Sequence, residues 1–369
     1  MKALLLAPMG SVHRRFNQVN ISALKSLGYE VHLAANFENG EGTESQNEAY
    51  VRECLEKGII THHIPYQRHE IRKNIHLIRP TRKLIKREQF DIIHAHTETG
   101  GLILRLVGKT EGRKIYTPHG MSFYRGAPLK AQLIYRPIEK WICAGMDTNI
   151  AINREELSVL KKWNKRSAKY VHGIGLDIER LRAVTRSREE LRRELGIPED
   201  AVVVLSVGEL DDNKNHIVCI EALKHLDNVY YVICGVGPNR DMLMNAGLGK
   251  RLILAGYRRD VPDIIAASDI FAFPSFHEGL PVALMEAMAG GLPCVGSRIR
   301  GNVDLIKDGK NGFLVEPHNV AKWREDILAL CGDEKLRAVY ANKSFSRINK
   351  FSREKVYEEY ISIYRQSGE

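Results

Sequence analysis

The sequence predicts an α/β chain built from two doubly wound parallel domains, and three stretches carry that expectation. Residues 2–9 read as an apolar strand, 20–28 as a helix and 29–35 as a second strand, the β–turn–α–β opening of a parallel sheet. Ala201-Val-Val-Val-Leu-Ser-Val-Gly begins the same pattern afresh, with a helix over 216–226. Residues 271–306 then run strand, turn, helix and strand around two carboxylates. At 369 residues the chain is too long for one ordinary core.

Composition narrows the class. Hydrophobic content of 44% and charged content of 27% are those of a globular protein. No apolar run reaches the roughly 18 residues of a membrane span, and residues 2–9 are too short and too soon broken by Pro8 for a signal peptide. The six cysteines are scattered without a CxxC and read as reduced thiols. Together these place the chain in the cytoplasm. The net charge of +10 is lopsided: residues 1–170 hold 28 Lys and Arg against 16 Asp and Glu, the remainder 27 against 29. No aromatic-interleaved basic motif marks a nucleic-acid partner. An anionic inner membrane surface or a phosphorylated lipid acceptor fits the excess better.

In chain order, the first strand leads into Gly10-Ser11-Val12-His13, read as a turn, and 36–49 reads as a polar loop. Residues 68–87 carry eight Lys and Arg against one acid, Glu70, with Ile71, Ile75, Ile78, Leu84 and Ile85 interleaved and Pro80 dividing the segment. Two readings stay open: a basic helix docking on a membrane through both charge and apolar insertion, or a solvated helix packed on its own sheet. The next strand, 90–96, sets His94 and His96 on one face; without a local third ligand a metal site is not expected there. His119 follows a further strand and precedes Gly120. The carboxyl end of a strand is where ligands sit in an open α/β sheet.

The linker falls near 173–182. After the strand from Ala201 come Gly208, Glu209 and Lys214, the last just ahead of a helix, where charge and dipole both suit a diphosphate. Gly235-Val-Gly237 lacks a third glycine and reads as a tight β–α turn. Residues 252–256 form a strand and Tyr257-Arg258 the loop after it. In 271–306, Pro274 stops a strand and Pro281 sits in the first turn of a helix ending at Gly290-Gly291. Glu278 lies beside the helix start; Glu286 lies inside it, sharing a small-residue face with Ala283 and Gly290. That face would let a ligand approach closely. An isolated glutamate is more often simply solvated. Residues 351–365 form an amphipathic helix with Val356, Tyr360 and Ile363 on one side.

Glu278-Gly279-Leu280-Pro281 with Glu286, embedded in PSxxEGLPxxxxEAMAxGxPxVxSxxxGxxDLI, resembles the EX7E signature of retaining nucleotide-sugar glycosyltransferases of family 4. The resemblance covers nearly the whole chain, most densely over 202–316. It implies the GT-B architecture: an acceptor domain at 1–175, a nucleotide-sugar domain at 176–350, the two facing across a cleft, and a helix at 351–369 crossing back. It further implies that Glu278 meets the donor sugar, Glu286 the ribose and His119 the sugar. Lys214 would meet the diphosphate, and Gly208, Gly279, Leu280, Pro281, Tyr257 and Arg258 would complete the donor site. His13 is the next histidine, on the acceptor side. Glu209 stands where many relatives have Arg, and the first loop lacks their paired glycines. The expected reaction is front-face displacement from a UDP-sugar to a lipid-linked or saccharide acceptor in surface-polysaccharide assembly. No metal or other cofactor is expected, since Lys214 and a helix dipole supply positive charge and no DxD pair stands in a suitable loop. An epimerase and an inactive sugar-nucleotide-binding subunit remain as alternatives.

Overall fold

A computed structural model describes residues 1–38, 44–67, 71–124 and 126–365 of the protein. They fall into two units, one of Met1–Gly175 with the Arg353–Arg365 helix, the other of Leu176–Ser352.

The first unit is organised on β1 (Lys2–Met9), whose run of Ala and Leu is buried on both faces, as a central parallel strand requires. Its partners are β2 (Glu30–Asn36), β3 (Ile60–His63), β4 (Ile92–His96), β5 (Arg113–Thr117), β6 (Thr148–Ala151) and β7 (Ala168–Tyr170). Among the described residues they make a parallel sheet in the order β3-β2-β1-β4-β5-β6-β7, with Leu5 in register with Leu33 and His94. Side-chain alternation splits the core. Leu4, Leu6, Ile93 and Tyr116 pack on one face; Ala3, Leu5, Ile92 and Ile115 pack on the other. The Arg353–Arg365 helix closes that second face with Val356, Tyr360, Ile363 and Tyr364, lying against the Gln18–Ser26 helix.

The second unit holds β8 (Val202–Val207), β9 (Val229–Cys234), β10 (Leu252–Gly256), β11 (Ile270–Phe273), β12 (Cys294–Ser297) and β13 (Gly312–Val315). The order is β10-β9-β8-β11-β12-β13, again parallel. The order in which successive strands are added therefore reverses between β1 and β4 in one sheet and between β8 and β11 in the other. At such switch points, outside the carboxyl ends of the strands, open α/β sheets bind their ligands.

Several local expectations are corrected. Gly10 does not open a turn: the Gly10–Phe16 helix starts directly after β1. The polar loop is shorter than read, because a helix begins at Glu44. Pro80 does not break the basic segment, since it sits in the first turn of the Ile78–Glu88 helix, where its missing N–H removes no hydrogen bond. Arg68 and Glu70 lie outside the described residues. Ile85 and Leu84 face the core, so Ile85 is not available for membrane insertion.

Candidate active site

In the second unit, the loops after β8 and β11 meet at the switch point. The Lys214 ammonium donates to Glu278 Oε1 at 2.7 Å, both side chains partly exposed, and lies 5.5 Å from the Phe273 ring centre. Four contacts hold this arrangement. Asn213 accepts the His277 N–H at its side chain and the Phe276 N–H at its carbonyl, 3.2 and 2.8 Å. Asn215, in the left-handed region at φ 51°, donates to the Pro274 and Pro317 carbonyls. The β8 loop is pressed against the turn after β9 so closely that a Cβ on Gly235 would lie 1.8 Å from the Gly208 carbonyl oxygen. The pair of glycines at 235 and 237 serves that approach.

The Val282–Ala289 helix starts directly behind Glu278, with Pro281 at its N-cap and no side-chain cap. Its first N–H groups and its dipole favour an anion at that end. Arg300, largely buried, donates from Nε to the Glu278 carbonyl at 2.9 Å, fixing the turn from the opposite side. Glu286 is only partly accessible, and burial raises its pKa to about 7 against an opposing pull from Arg180.

The first unit brings histidines together at the carboxyl ends of β4 and β5. His119 takes φ 60°, uncommon for a residue with a Cβ, and its ring lies between Phe16 and His96. His119 Nε2 and His96 Nδ1 are 2.9 Å apart, while the buried His96 Nε2 has no partner. Burial lowers the His119 pKa to about 4 and pushes His96 and His94 down as well, so all three rings are neutral at pH 7. His94 is fixed from both ends: the Tyr364 hydroxyl lies 2.8 Å from Nδ1 and the Thr117 hydroxyl 2.9 Å from Nε2. Asn20 donates to that same Tyr364 oxygen at 2.8 Å, which directs the hydroxyl proton to His94 Nδ1.

Residues 20–180 match the family described as Glycosyltransferase Family 4, and residues 187–347 match Glycosyl transferases group 1. Over 380 residues the chain is 30% identical to a Bacillus subtilis (strain 168) protein named as glycosyltransferase EpsD, covering 98% of this chain and 96% of that one. The chain belongs to glycosyltransferase family 4. The glycosyltransferase is also 28% identical over 313 residues to an Escherichia coli protein, covering 79% of this chain and 81% of that one. That relative is named UDP-Gal:alpha-D-GlcNAc-diphosphoundecaprenol alpha-1,3-galactosyltransferase. Among solved structures, Anabaena Alr3699/HepE with UDP and glucose superposes with a TM-score of 0.79 at 18% identity, covering 99% of this chain and all of that one. This likeness establishes the GT-B fold of two Rossmann-like domains.

Against this geometry the sequence-predicted residues of the glycosyltransferase separate. Lys214, Gly208, Glu278, Gly279, Leu280 and Pro281 share one end of the second sheet, with Glu286 on the helix behind. Tyr257 is exposed on the loop after β10. Arg258 is engaged by carboxylates. Its guanidinium forms a bidentate pair with Asp260 at 2.6 and 2.8 Å and reaches Glu194 at 2.8 Å, which holds its pKa above the ordinary range. His13 is fully buried, its Nδ1 accepts from Asn17 at 2.9 Å and its Nε2 faces the Ala34 carbonyl at 3.3 Å, contacts that hold the Gly10–Phe16 helix. Gly290 is small because a Cβ there would lie 2.3 Å from Ile265 Cγ2, so its place on the Glu286 face is a packing demand. Sequence reading missed two residues. Arg300 carries a signal, lying within the stretch that runs from the second carboxylate to Ile306. His96 was weighed only as a metal ligand, while the structure makes it the partner of His119.

Proposed function

We propose that this glycosyltransferase is a retaining enzyme that moves a sugar from a UDP-sugar to a lipid-linked or saccharide acceptor in bacterial surface-polysaccharide assembly. The observation that carries the reading is the 2.7 Å Lys214–Glu278 pair at the switch point of the second sheet, ahead of an uncapped helix N-terminus. A diphosphate seated there would meet the Lys214 charge and the helix dipole together. Glu278 would hold Lys214 and touch the donor sugar, the Gly208 and Gly279-Leu280-Pro281 backbones would line the diphosphate and sugar, and Glu286 would accept from the ribose hydroxyls. Tyr257 would lie by the base. His119, neutral and oriented by His96, would serve as a hydrogen-bonding group for the sugar and not as a cation. No metal enters the reading, because Lys214 and the dipole supply positive charge where the leaving group forms.

In the front-face reaction the acceptor oxygen bonds to the anomeric carbon while the bond from that carbon to the diphosphate oxygen breaks. The acceptor hydroxyl proton passes to the departing diphosphate, and the new bond keeps the configuration of the old one. The names of the relatives support a UDP-sugar and a diphosphoundecaprenol acceptor, which the enzyme would meet at an anionic membrane surface.

Incubation with a panel of nucleotide sugars, with and without bacterial membrane lipid extract, tests the proposal by released nucleoside diphosphate and product configuration. Release of UDP only with acceptor, with configuration retained, is expected. Conversion of the sugar without acceptor would mean an epimerase, and neither release nor conversion would mean a binding subunit.

A further inference from the structure

Among its described residues the charge-rich segment near residue 80 exposes one large apolar side chain, Ile75, whereas the Leu129–Cys143 helix of the first unit exposes several. Leu129 is 73% and Leu133 67% exposed, and Ile134, Tyr135 and Trp141 are also exposed large side chains. At 3.6 residues per turn, Leu129, Leu133, Ile134, Pro137 and Trp141 share one side of the helix. Lys130, Arg136 and Lys140 are exposed among them. The helix's acid, Glu139, points the other way, buried and accepting the Tyr116 hydroxyl at 2.6 Å, while Ile142 and Cys143 anchor the inner side in the core. The outward side is thus apolar and cationic with no exposed carboxylate.

This helix packs beside the Thr97–Val107 helix, which in turn packs beside the basic Ile78–Glu88 helix. All three lie on the same face of the first sheet. The exposed Arg79, Lys83 and Lys86 of the third helix therefore extend the same cationic face, although its own Leu84 and Ile85 are buried.

We infer that the Leu129–Cys143 helix is a membrane-docking element, which inserts Leu129, Leu133, Ile134 and Trp141 into the interface of an anionic bilayer and sets Lys130, Arg136 and Lys140 among its headgroups. Three observations favour this occupant. A contiguous exposed apolar patch on a helix marks an interaction surface. Aromatic rings beside Lys and Arg suit the boundary between headgroup and acyl chain, and Trp141, with the Arg105 guanidinium 4.7 Å above its ring, sits in such a setting. A second copy of this chain would bring the same three cations face to face across a two-fold axis, so the charge pattern disfavours self-association and calls for an anionic surface. The loop bearing His119 leads into this helix, so docking would hold that loop near the bilayer. The inference takes its purpose from the lipid-linked acceptor proposed above, but vesicle binding requires no transfer.

The test is flotation of the full-length protein with phosphatidylcholine vesicles, with and without phosphatidylglycerol. Salt is set at about 0.1 M and about 1 M, where the Debye length falls from about 10 Å to about 3 Å. Two variants run alongside, Leu129→Gln/Leu133→Gln/Ile134→Gln and Lys130→Gln/Arg136→Gln/Lys140→Gln, the second expected to lose the salt-sensitive part of the binding to phosphatidylglycerol vesicles. Wild type is expected to float with phosphatidylglycerol vesicles and to lose part of that binding at high salt. The apolar variant is expected to bind at least about tenfold more weakly, with melting temperature and UDP affinity unchanged. A blue shift of tryptophan emission on vesicle addition, absent in Trp141→Phe, would support insertion. If wild type fails to float, or the apolar variant floats as well as wild type, the inference is overturned. It is equally overturned if wild type is a dimer that the apolar variant converts to monomer, since the face would then join two copies. Retained UDP binding in every variant separates any of these failures from a failure of the glycosyltransferase reading.

Discussion

Lys214 and Glu278 are 64 residues apart and meet because β8 and β11 are neighbours where the strand order reverses. A lysine so placed is only partly buried, and its truncation removes one side chain from a loop that Asn213 and Asn215 hold independently. Lys214→Ala is therefore expected to lower turnover by about 10²-fold or more, as loss of a group stabilising transition-state charge does, while the melting temperature changes little. Parallel losses of both would assign Lys214 a structural part instead. Glu286 carries a pH dependence whose sign follows from its environment. Burial raises its pKa from an ordinary 4.5 to about 7. The stability that burial gives the neutral carboxyl is thus fully present below pH 4.5 and is lost as pH rises through 7. If the ionised form accepts from the ribose, UDP affinity in calorimetry falls as pH drops from about 8 to about 6, and Glu286→Gln is weaker and flat over the same range. An equal slope in the variant would place the titrating group elsewhere. These two residues were legible in the sequence because their spacing to Pro281 and to a helix start is local. The pairing of Arg258 with Asp260 and Glu194, and the buried ring of His13, were not, because both depend on partners that another element or the interior supplies.

At the scale of elements, strands such as Val202–Val207 are read directly from β-branched runs buried on both faces. The Gly10–Phe16 and Glu44–Glu56 helices were misread because a polar or glycine-led start carries no apolar period, and tertiary packing decides them. The Arg353–Arg365 helix was legible from Val356, Tyr360 and Ile363. Its polar link was not: the Tyr364 hydroxyl bridges Asn20 of one helix and His94 of β4, across more than 250 residues of sequence. Tyr364→Phe keeps the ring and removes the hydroxyl that the buried His94 Nδ1 and the Asn20 amide share. The expected cost is about 1–3 kcal/mol in urea unfolding of the first unit. An unchanged midpoint would contradict the assigned bridge.

At the scale of the whole molecule, two sheets of similar topology carry different residues in the loops at their reversals. One reversal collects neutral histidines, the other a lysine, a carboxylate and a helix N-terminus. The duplicated α/β order was visible from two separate apolar strand starts, and the switch points follow once the strand order is known. The central claim is that the nucleotide end of the donor is held at the second reversal. Hydrogen–deuterium exchange of the full-length protein with and without saturating UDP tests it most directly. The account predicts slowed exchange in the peptides spanning 208–215 and 274–286. Protection confined to the β1 and β4 loops of the first unit, or no protection in those two peptides despite saturated binding, would contradict it.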